Sequence, residues 1–270
     1  LIPNVLTIAG VDPSGGAGVL ADLKTFSALG AYGCGVIAAL TAQNTREVTG
    51  IHEVPPDFLA LQLDTLFADV RIDAVKIGML ASSELVRVVA ERLRRYQPRF
   101  VVLDPVMVAK SGDRLLRADA VAALKAELVP LATVLTPNLP EAGDLLGRVV
   151  TDRPEAMRDA AQALHELGAR SVLVKGGHGT GAMLVDCWFD GERDLHIELQ
   201  APRIATKNTH GTGCTLSSAI AALLPQRADI EIAVREARDY VLNAIRASDR
   251  LTVGSGHGPL HHFHRLWPQR

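Results

Sequence analysis

Phe100-Val101-Val102-Leu103-Asp104-Pro105-Val106-Met107 is the stretch that decides the fold. Its first four residues are apolar without alternation. That pattern describes a strand covered on both faces, at the centre of a parallel sheet. The run ends on a carboxylate, which is costly to bury unless paired or metal-bound. Asp104 is therefore a candidate site residue as well as a strand end.

Similar units lie on either side. Residues 5–9 form a short apolar run, and Gly10-Val11-Asp12-Pro13-Ser14-Gly15-Gly16-Ala17-Gly18 follows, with a helix opening near Ala17. The loop is no Walker A motif, because Gly15 is not followed by Lys and Ser/Thr. A tight βα turn and a backbone approaching a ligand are both open. Gly33-Cys34-Gly35-Val36-Ile37-Ala38 has the letters of a dinucleotide fingerprint, but it starts a strand (36–40) instead of following one. That strand runs out at Thr41-Ala42-Gln43-Asn44-Thr45, where a ligand contact or a solvated loop fits. A short strand (48–54), a helix after Pro55-Pro56, a buried strand (74–77) with the turn Gly78-Met79, and a helix (83–95) with an outward arginine face come next.

On the other side, residues 108–113 read as a polar loop and 118–128 as a helix. The strand 134–135 leads into Thr136-Pro137-Asn138-Leu139-Pro140-Glu141-Ala142, where Asn138 is placed to cap a helix. Asp104 and Glu141 both follow strands, so they can converge at one sheet edge and hold Mg²⁺ through water. Residues 151–168 predict a helix opened by an Asp152/Glu155 capping box. The strand 171–174 enters Lys175-Gly176-Gly177-His178-Gly179-Thr180-Gly181, which suits nucleotide phosphates or a plain loop. Asp190-Gly191 between two apolar runs is a hairpin signal.

Thr206-Lys207-Asn208-Thr209-His210-Gly211-Thr212-Gly213-Cys214-Thr215-Leu216-Ser217-Ser218 opens an amphipathic helix. Glycines at a helix start let free N–H groups and the helix dipole face an anion. Cys214 stands at that start, where a thiol is expected to titrate nearer neutrality. It then serves as a proton acceptor for a substrate hydroxyl or as a covalent nucleophile. A last helix covers 230–251, and a tail with His257, His261, His262 and His264 follows. The histidine spacing matches no standard structural zinc site, and a structured surface tail is expected.

Composition narrows the function. The net charge of −2 gives no basic footprint, and 4% aromatic content leaves few stacking platforms, so nucleic acid is not expected as a partner. Three widely spaced cysteines argue against a disulfide framework and fit a reducing cytoplasm. No membrane span and no signal-peptide pattern are read. With no linker or repeat, residues 1–270 are expected to form one domain with a largely parallel sheet covered by helices on both faces. Glycine loops, two acids and a lysine point to phosphoryl transfer.

Ala9–Gly18, Thr41-Ala42-Gln43-Asn44, Lys76-Ile77-Gly78-Met79, Asp104-Pro105-Val106-Met107, Thr136–Ala142, Lys175-Gly176-Gly177-His178, Lys207–Cys214 and Gly256-His257-Gly258-Pro259 carry a resemblance over nearly the whole chain. The chain resembles the hydroxymethylpyrimidine/phosphomethylpyrimidine kinases of thiamine biosynthesis, in the ribokinase-like superfamily. The resemblance implies a three-layer α/β/α sandwich with a mainly parallel central sheet, and a homodimer. It implies ATP and Mg²⁺, used to phosphorylate 4-amino-5-hydroxymethyl-2-methylpyrimidine and then its monophosphate. Gln43 would hold the pyrimidine edge, with Gly10, Asp22, Met79 and Val106 shaping its pocket. Gly211 and Gly213 would form the anion hole, with Cys214 as base. Asp104 and Glu141 would manage Mg²⁺, with Asn138, Lys175 and Thr209 on the nucleotide side. No appended thiamine-phosphate synthase module is expected. Pyridoxal or pyridoxine kinases share the Gly-Thr-Gly-Cys signature and are the alternative; a catalytically silent pyrimidine sensor is a third reading.

Overall fold

The computed structural model describes residues 1–108, 118–177 and 181–268. Strands β1 (Asn4–Val11), β2 (Tyr32–Gln43), β3 (Val48–Glu53), β4 (Ala74–Ile77), β5 (Phe100–Leu103), β6 (Val134–Leu135), β7 (Ser171–Val174), β8 (Met183–Asp190) and β9 (Leu195–Pro202) form one sheet. Their order is β3-β2-β1-β4-β5-β6-β7-β8-β9. The block from β2 to β7 is parallel, while β3 at one edge and β8 and β9 at the other run antiparallel. The expected mainly parallel sheet is present, with β5 at its centre.

Side chains along each strand alternate between two cores. In β5, Val101 and Leu103 enter one and Phe100 and Val102 the other. The first core is closed by α2 (Pro56–Asp69), α3 (Ser83–Tyr96), α4 (Ala118–Ala123), α5 (Leu139–Leu146) and α6 (Pro154–His165). The second is closed by α1 (Gly18–Ala28), α7 (Thr212–Leu223) and α8 (Ile230–Arg246). Helices therefore cover both faces, as a continuous apolar strand demands. Among the described residues, no helix is long and apolar enough to cross a membrane.

Several local expectations change. β2 is longer than expected: it contains Gly33 to Gly35 and runs through Gln43, because β3 pairs back on its far half. The Asp152/Glu155 capping box does not form. Helix α6 begins at Pro154, and Arg153 before it is extended (ψ 131°) with no side-chain cap. A residue preceding proline is driven out of the helical region, so the helix cannot start earlier. The last long helix stops at Arg246, and a short 3₁₀ turn (Ser248–Arg250) continues it. The polar loop beyond Val108 and residues 178–180 of the lysine–glycine loop lie outside the described residues.

The histidine tail is part of the fold. His261 and His262 are buried. His262 shares a 3.1 Å hydrogen bond with Thr215 Oγ1, and its carbonyl accepts from Tyr240 Oη at 2.7 Å. Burial pushes its imidazole down to about 3, which keeps it neutral.

The parallel registers place Ile8, Ile77, Leu103, Leu135 and Val172 in step across the sheet. The segments that follow β1, β4, β5, β6 and β7 consequently emerge at one edge.

Candidate active site

Asp104 leaves β5 at the centre of that edge and is buried. Its Oδ1 accepts from Lys175 Nζ at 2.9 Å and from Thr136 Oγ1 at 3.2 Å, and its Oδ2 accepts from Ser217 Oγ at 3.2 Å. Burial pushes the carboxyl up, but the Lys175 and Lys76 charges outweigh it and hold the group below the usual carboxylate range. Asp104 is thus a permanent anion.

Lys175 Nζ also lies 3.8 Å from Glu141 Oε2. Burial works against its charge, yet Asp104 and Glu141 push its pKa above the usual lysine value. Glu141 is the third residue of α5, and the capping box expected there forms. Asn138 Oδ1 accepts from Glu141 N at 2.9 Å, and Glu141 Oε2 accepts from Asn138 N at 2.7 Å. Burial outweighs Lys175 at Glu141 and raises its carboxyl to about 7. Two neighbouring acids therefore differ in charge state, one ionised and one poised at neutrality.

Helix α7 points its first turn at this cluster. Gly211 enters it with φ +78°, and a Cβ there would collide with the Gly16 carbonyl, so only glycine lets the two loops touch. At Gly213 a Cβ would stand 3.3 Å from Lys175 Nζ and 3.6 Å from Asp104 Oδ2. Bare backbone at a helix N-terminus thus faces the ammonium and the carboxylates, an arrangement suited to a phosphoryl group.

Cys214 is half-buried beside it. The expected fall of its thiol toward neutrality is not found. Burial pushes it up to about 11; the Lys76 charge pulls the other way but is opposed by Asp22 and Asp104. Desolvation sets the balance, and in the unliganded chain the group is a neutral thiol.

The other end of the array is less charged. A Cβ on Gly10 would stand 2.8 Å from Met79 Cε, so the thioether packs directly on the β1 backbone. Thr41 Oγ1 donates to Val11 O at 2.9 Å and lies 3.1 Å from the terminal amide of Gln43, which places that amide. One cavity of about 560 Å³ is lined by Gly10, Gln43, Met79, Val106, Asp104 and Asn138, and also by Glu141, Lys175, Thr209, Gly211, Gly213 and Cys214. Among the residues expected at the site, Asp22 alone is absent from that lining. It is fully buried below, accepting from Thr7 Oγ1 (2.6 Å), Lys76 Nζ (2.9 Å) and Ser218 Oγ (2.7 Å). Both oxygens are engaged within the protein and the side chain does not reach the cavity, so its expected pocket-shaping place is corrected to a foundation for Lys76.

Lys76 was not foreseen as a site residue. It is fully buried in β4 yet lines the cavity, and its ammonium is held charged: burial opposes the charge, and Asp22, Cys214 and Asp104 restore it. The available signal was a lysine inside the apolar strand Ala74-Val75-Lys76-Ile77, which a buried sheet tolerates only with a partner. His210 was missed too. Its Nε2 lies 2.6 Å from Asp12 Oδ2, which also accepts from Ser14 Oγ and Ala17 N, so the first glycine loop is tied to the start of α7.

Among the described residues no three His, Cys, Asp or Glu side chains form a metal cage. The pair Asp104 and Glu141 still fits Mg²⁺, which is commonly held by one or two carboxylates together with waters and phosphates. The raised Glu141 carboxyl is the kind of group that a neighbouring cation ionises.

A family model described as phosphomethylpyrimidine kinase matches residues 12–261. The hydroxymethylpyrimidine/phosphomethylpyrimidine kinase of Escherichia coli (strain K12) is 54% identical over 264 residues, covering 98% of each chain. Phosphomethylpyrimidine kinase from Clostridium difficile 630 superposes with a TM-score of 0.80 at 40% identity, covering 90% of this chain and 99% of that one. Pyridoxal kinase from Staphylococcus aureus in complex with AMP-PCP superposes with a TM-score of 0.89 at 33% identity, covering 98% of this chain and 95% of that one. With the family match spanning most of the chain and identity this high over its length, the chain belongs to the phosphomethylpyrimidine kinase family of phosphotransferases.

Proposed function

We propose that this chain transfers the γ-phosphoryl group of ATP to the hydroxymethyl oxygen of 4-amino-5-hydroxymethyl-2-methylpyrimidine, and then phosphorylates the monophosphate to the diphosphate, for thiamine biosynthesis. The observation that carries the reading is the convergence of Gly213, Lys175 and Asp104 in the cavity that also contains Gln43 and Met79. A cation and a helix N-terminus meet there, beside a small polar-edged pocket.

Gln43 orients the pyrimidine edge, with Gly10, Met79 and Val106 packing its ring. The α7 amides at Gly211 and Gly213 receive the transferred group, and Lys175 neutralises charge on the phosphates with Asn138 and Thr209 alongside. Asp104 and Glu141 would hold Mg²⁺, and the ion when bound would supply further neutralisation of the phosphates' charge. Cys214 takes the hydroxyl proton in its thiolate form, having first released its own proton to water. With the thiol raised to about 11 in the free chain, that form is a small fraction at neutral pH, and it is the fraction that acts as the oxygen attacks.

The S. aureus pyridoxal kinase superposes closely enough to keep B6 vitamers as the second reading. The silent-sensor reading is disfavoured, because Cys214, Asp104 and Glu141 all face the cavity. A cytoplasmic homodimer completes the proposal. It is supported by the free cysteines and by Leu40 and Ile51 left exposed on the β2–β3 ribbon, and light scattering would read the assembly. The deciding experiment offers purified protein MgATP with the hydroxymethylpyrimidine, its monophosphate, pyridoxal and pyridoxine. Turnover of both pyrimidines is expected. Turnover of B6 vitamers alone would replace the pyrimidine reading.

A further inference from the structure

The ladder between β7 and β8 ends at Val174 opposite Cys187. Lys175 then turns toward β6, its N–H donating to Pro137 O at 2.8 Å. The next amide, Gly176 N–H, donates to the side chain of Asp186, at Oδ1 and 2.8 Å. A Cβ on Gly176 would collide with the Val185 carbonyl, so the chain passes β8 at a distance that only glycine allows. A carboxylate thus takes over from the ladder at the residue after Lys175.

Asp186 is held in its turn. Its Oδ2 accepts from Arg238 Nε at 2.7 Å. Three of the four remaining guanidinium N–H groups go to Leu199 O (2.6 Å), Gln200 O (3.2 Å) and Leu184 O (3.4 Å). Arg238 lines the cavity, and an arginine there invites assignment as a phosphate ligand. Its geometry says otherwise. The fork is directed at one carboxylate and three carbonyls of β8 and β9, and both side chains are buried. It clamps α8 to the hairpin and fixes the carboxylate that receives Gly176.

We infer that Arg238 and Asp186 are positioning residues for phosphoryl transfer: acting through the Gly176 amide, they set the exit of the chain from β7 and so place Lys175 between Asp104 and Glu141. A charge-assisted hydrogen bond to the backbone has the stiffness for this task. The inference rests on the reading of Lys175 as the phosphate-side cation.

The test separates the acceptor from the ion pair. Asp186→Leu with Arg238→Met removes both, and apolar replacement of a buried pair commonly leaves stability near or above the parent. Its Tm is nonetheless expected below the parent, because the Gly176 amide and three strand carbonyls lose their partners. Below its melting range kcat is expected down by about 10- to 100-fold, the range that a shift of ~1 Å in a positioned group produces. The pyrimidine KM is expected to stay put, since the Gln43 end is untouched. Asp186→Asn with Arg238→Met keeps an oxygen opposite Gly176 and is expected to run about tenfold faster than the Leu/Met chain. A Leu/Met chain with parental kcat, or two double variants equally slow, overturns the inference. If the Leu/Met chain does not fold, Arg238→Lys loosens the clamp with a charge retained. Lower kcat at constant pyrimidine KM supports the relay, and parental kcat overturns it. Lys175→Met in the same assay keeps the two claims apart. A fast Lys175→Met overturns the role of Lys175 itself. A slow one beside a fast Leu/Met chain overturns only the relay.

Discussion

The ammonium of Lys175 stands 2.9 Å from Oδ1 of Asp104, across 71 residues of chain. The contact joins the ends of β5 and β7, and the same ammonium lies 3.8 Å from Glu141 Oε2. One cation therefore serves two buried acids; the closer Lys175 contact and the added charge of Lys76 make Asp104 ionise first, while burial prevails at Glu141. The pH behaviour of the chain follows from that inequality.

Glu141 is raised from 4.5 to about 7 in the folded chain. Over that window the folded chain keeps a proton that the unfolded chain has released. The stabilising effect is complete below about pH 4.5 and is lost as pH rises through about 7. Wild-type Tm should fall across this window relative to Glu141→Gln, which cannot titrate. Parallel Tm curves for the two chains would show that Glu141 is already ionised.

Cys214, raised to about 11, should be a slow thiol. Its alkylation by iodoacetamide, followed by mass spectrometry, should rise about tenfold per pH unit between about pH 7 and 10. A plateau below about pH 9 would mean that the helix dipole dominates after all. Cys214→Ala should lower kcat by about 100-fold or more with the KM for MgATP little changed, as expected for loss of a proton acceptor. An unaltered kcat would remove Cys214 from proton transfer.

Gly211 and Gly213 should fail differently when each is changed to alanine. At Gly211 the left-handed backbone and the Gly16 carbonyl both resist a side chain, so Tm should drop, with handedness alone costing about 1–2 kcal/mol. At Gly213 the nearest obstacle is the flexible end of Lys175. That variant should fold nearly as the parent, within about 0.5 kcal/mol, and lose at least about tenfold in kcat by crowding the anion hole. Thermal melts beside kinetics read both. Equal melting losses would mean that Gly213 is also a folding residue.

Asp22 and Gln43 provide a second contrast. Asp22→Asn disturbs a fully buried ion pair with Lys76, where breaking such a pair costs about 3–5 kcal/mol, so its main effect should be on Tm. Gln43→Ala should leave Tm alone and raise the pyrimidine KM roughly tenfold, the scale of one hydrogen bond to substrate. The KM for ATP should not move. Equal losses for both substrates in Gln43→Ala would count against its role at the pyrimidine edge.

The hydrophobic pattern by itself determined much of this protein. An unbroken apolar run such as Phe100 to Leu103 can be satisfied only between two helical layers, and strand–helix alternation then makes the sheet parallel. A parallel sheet sends its strand ends to one edge, which is why Asp104 and Glu141 could be paired before any contact was known; the family resemblance added Asn138 and Lys175 on the nucleotide side. Local chemistry was legible where the partners are close in sequence, as in the Asn138–Glu141 capping box. What the tertiary structure alone decided concerns partners distant in the chain and the water they exclude. Lys76 owes its charge above all to Asp22, 54 residues away, whose Oδ2 accepts its ammonium. His210 meets Asp12 across 198 residues. The Cys214 thiol moves opposite to the expectation from its helix start, and the Glu141 carboxyl rises, because desolvation depends on everything packed around a group and no stretch of sequence states it.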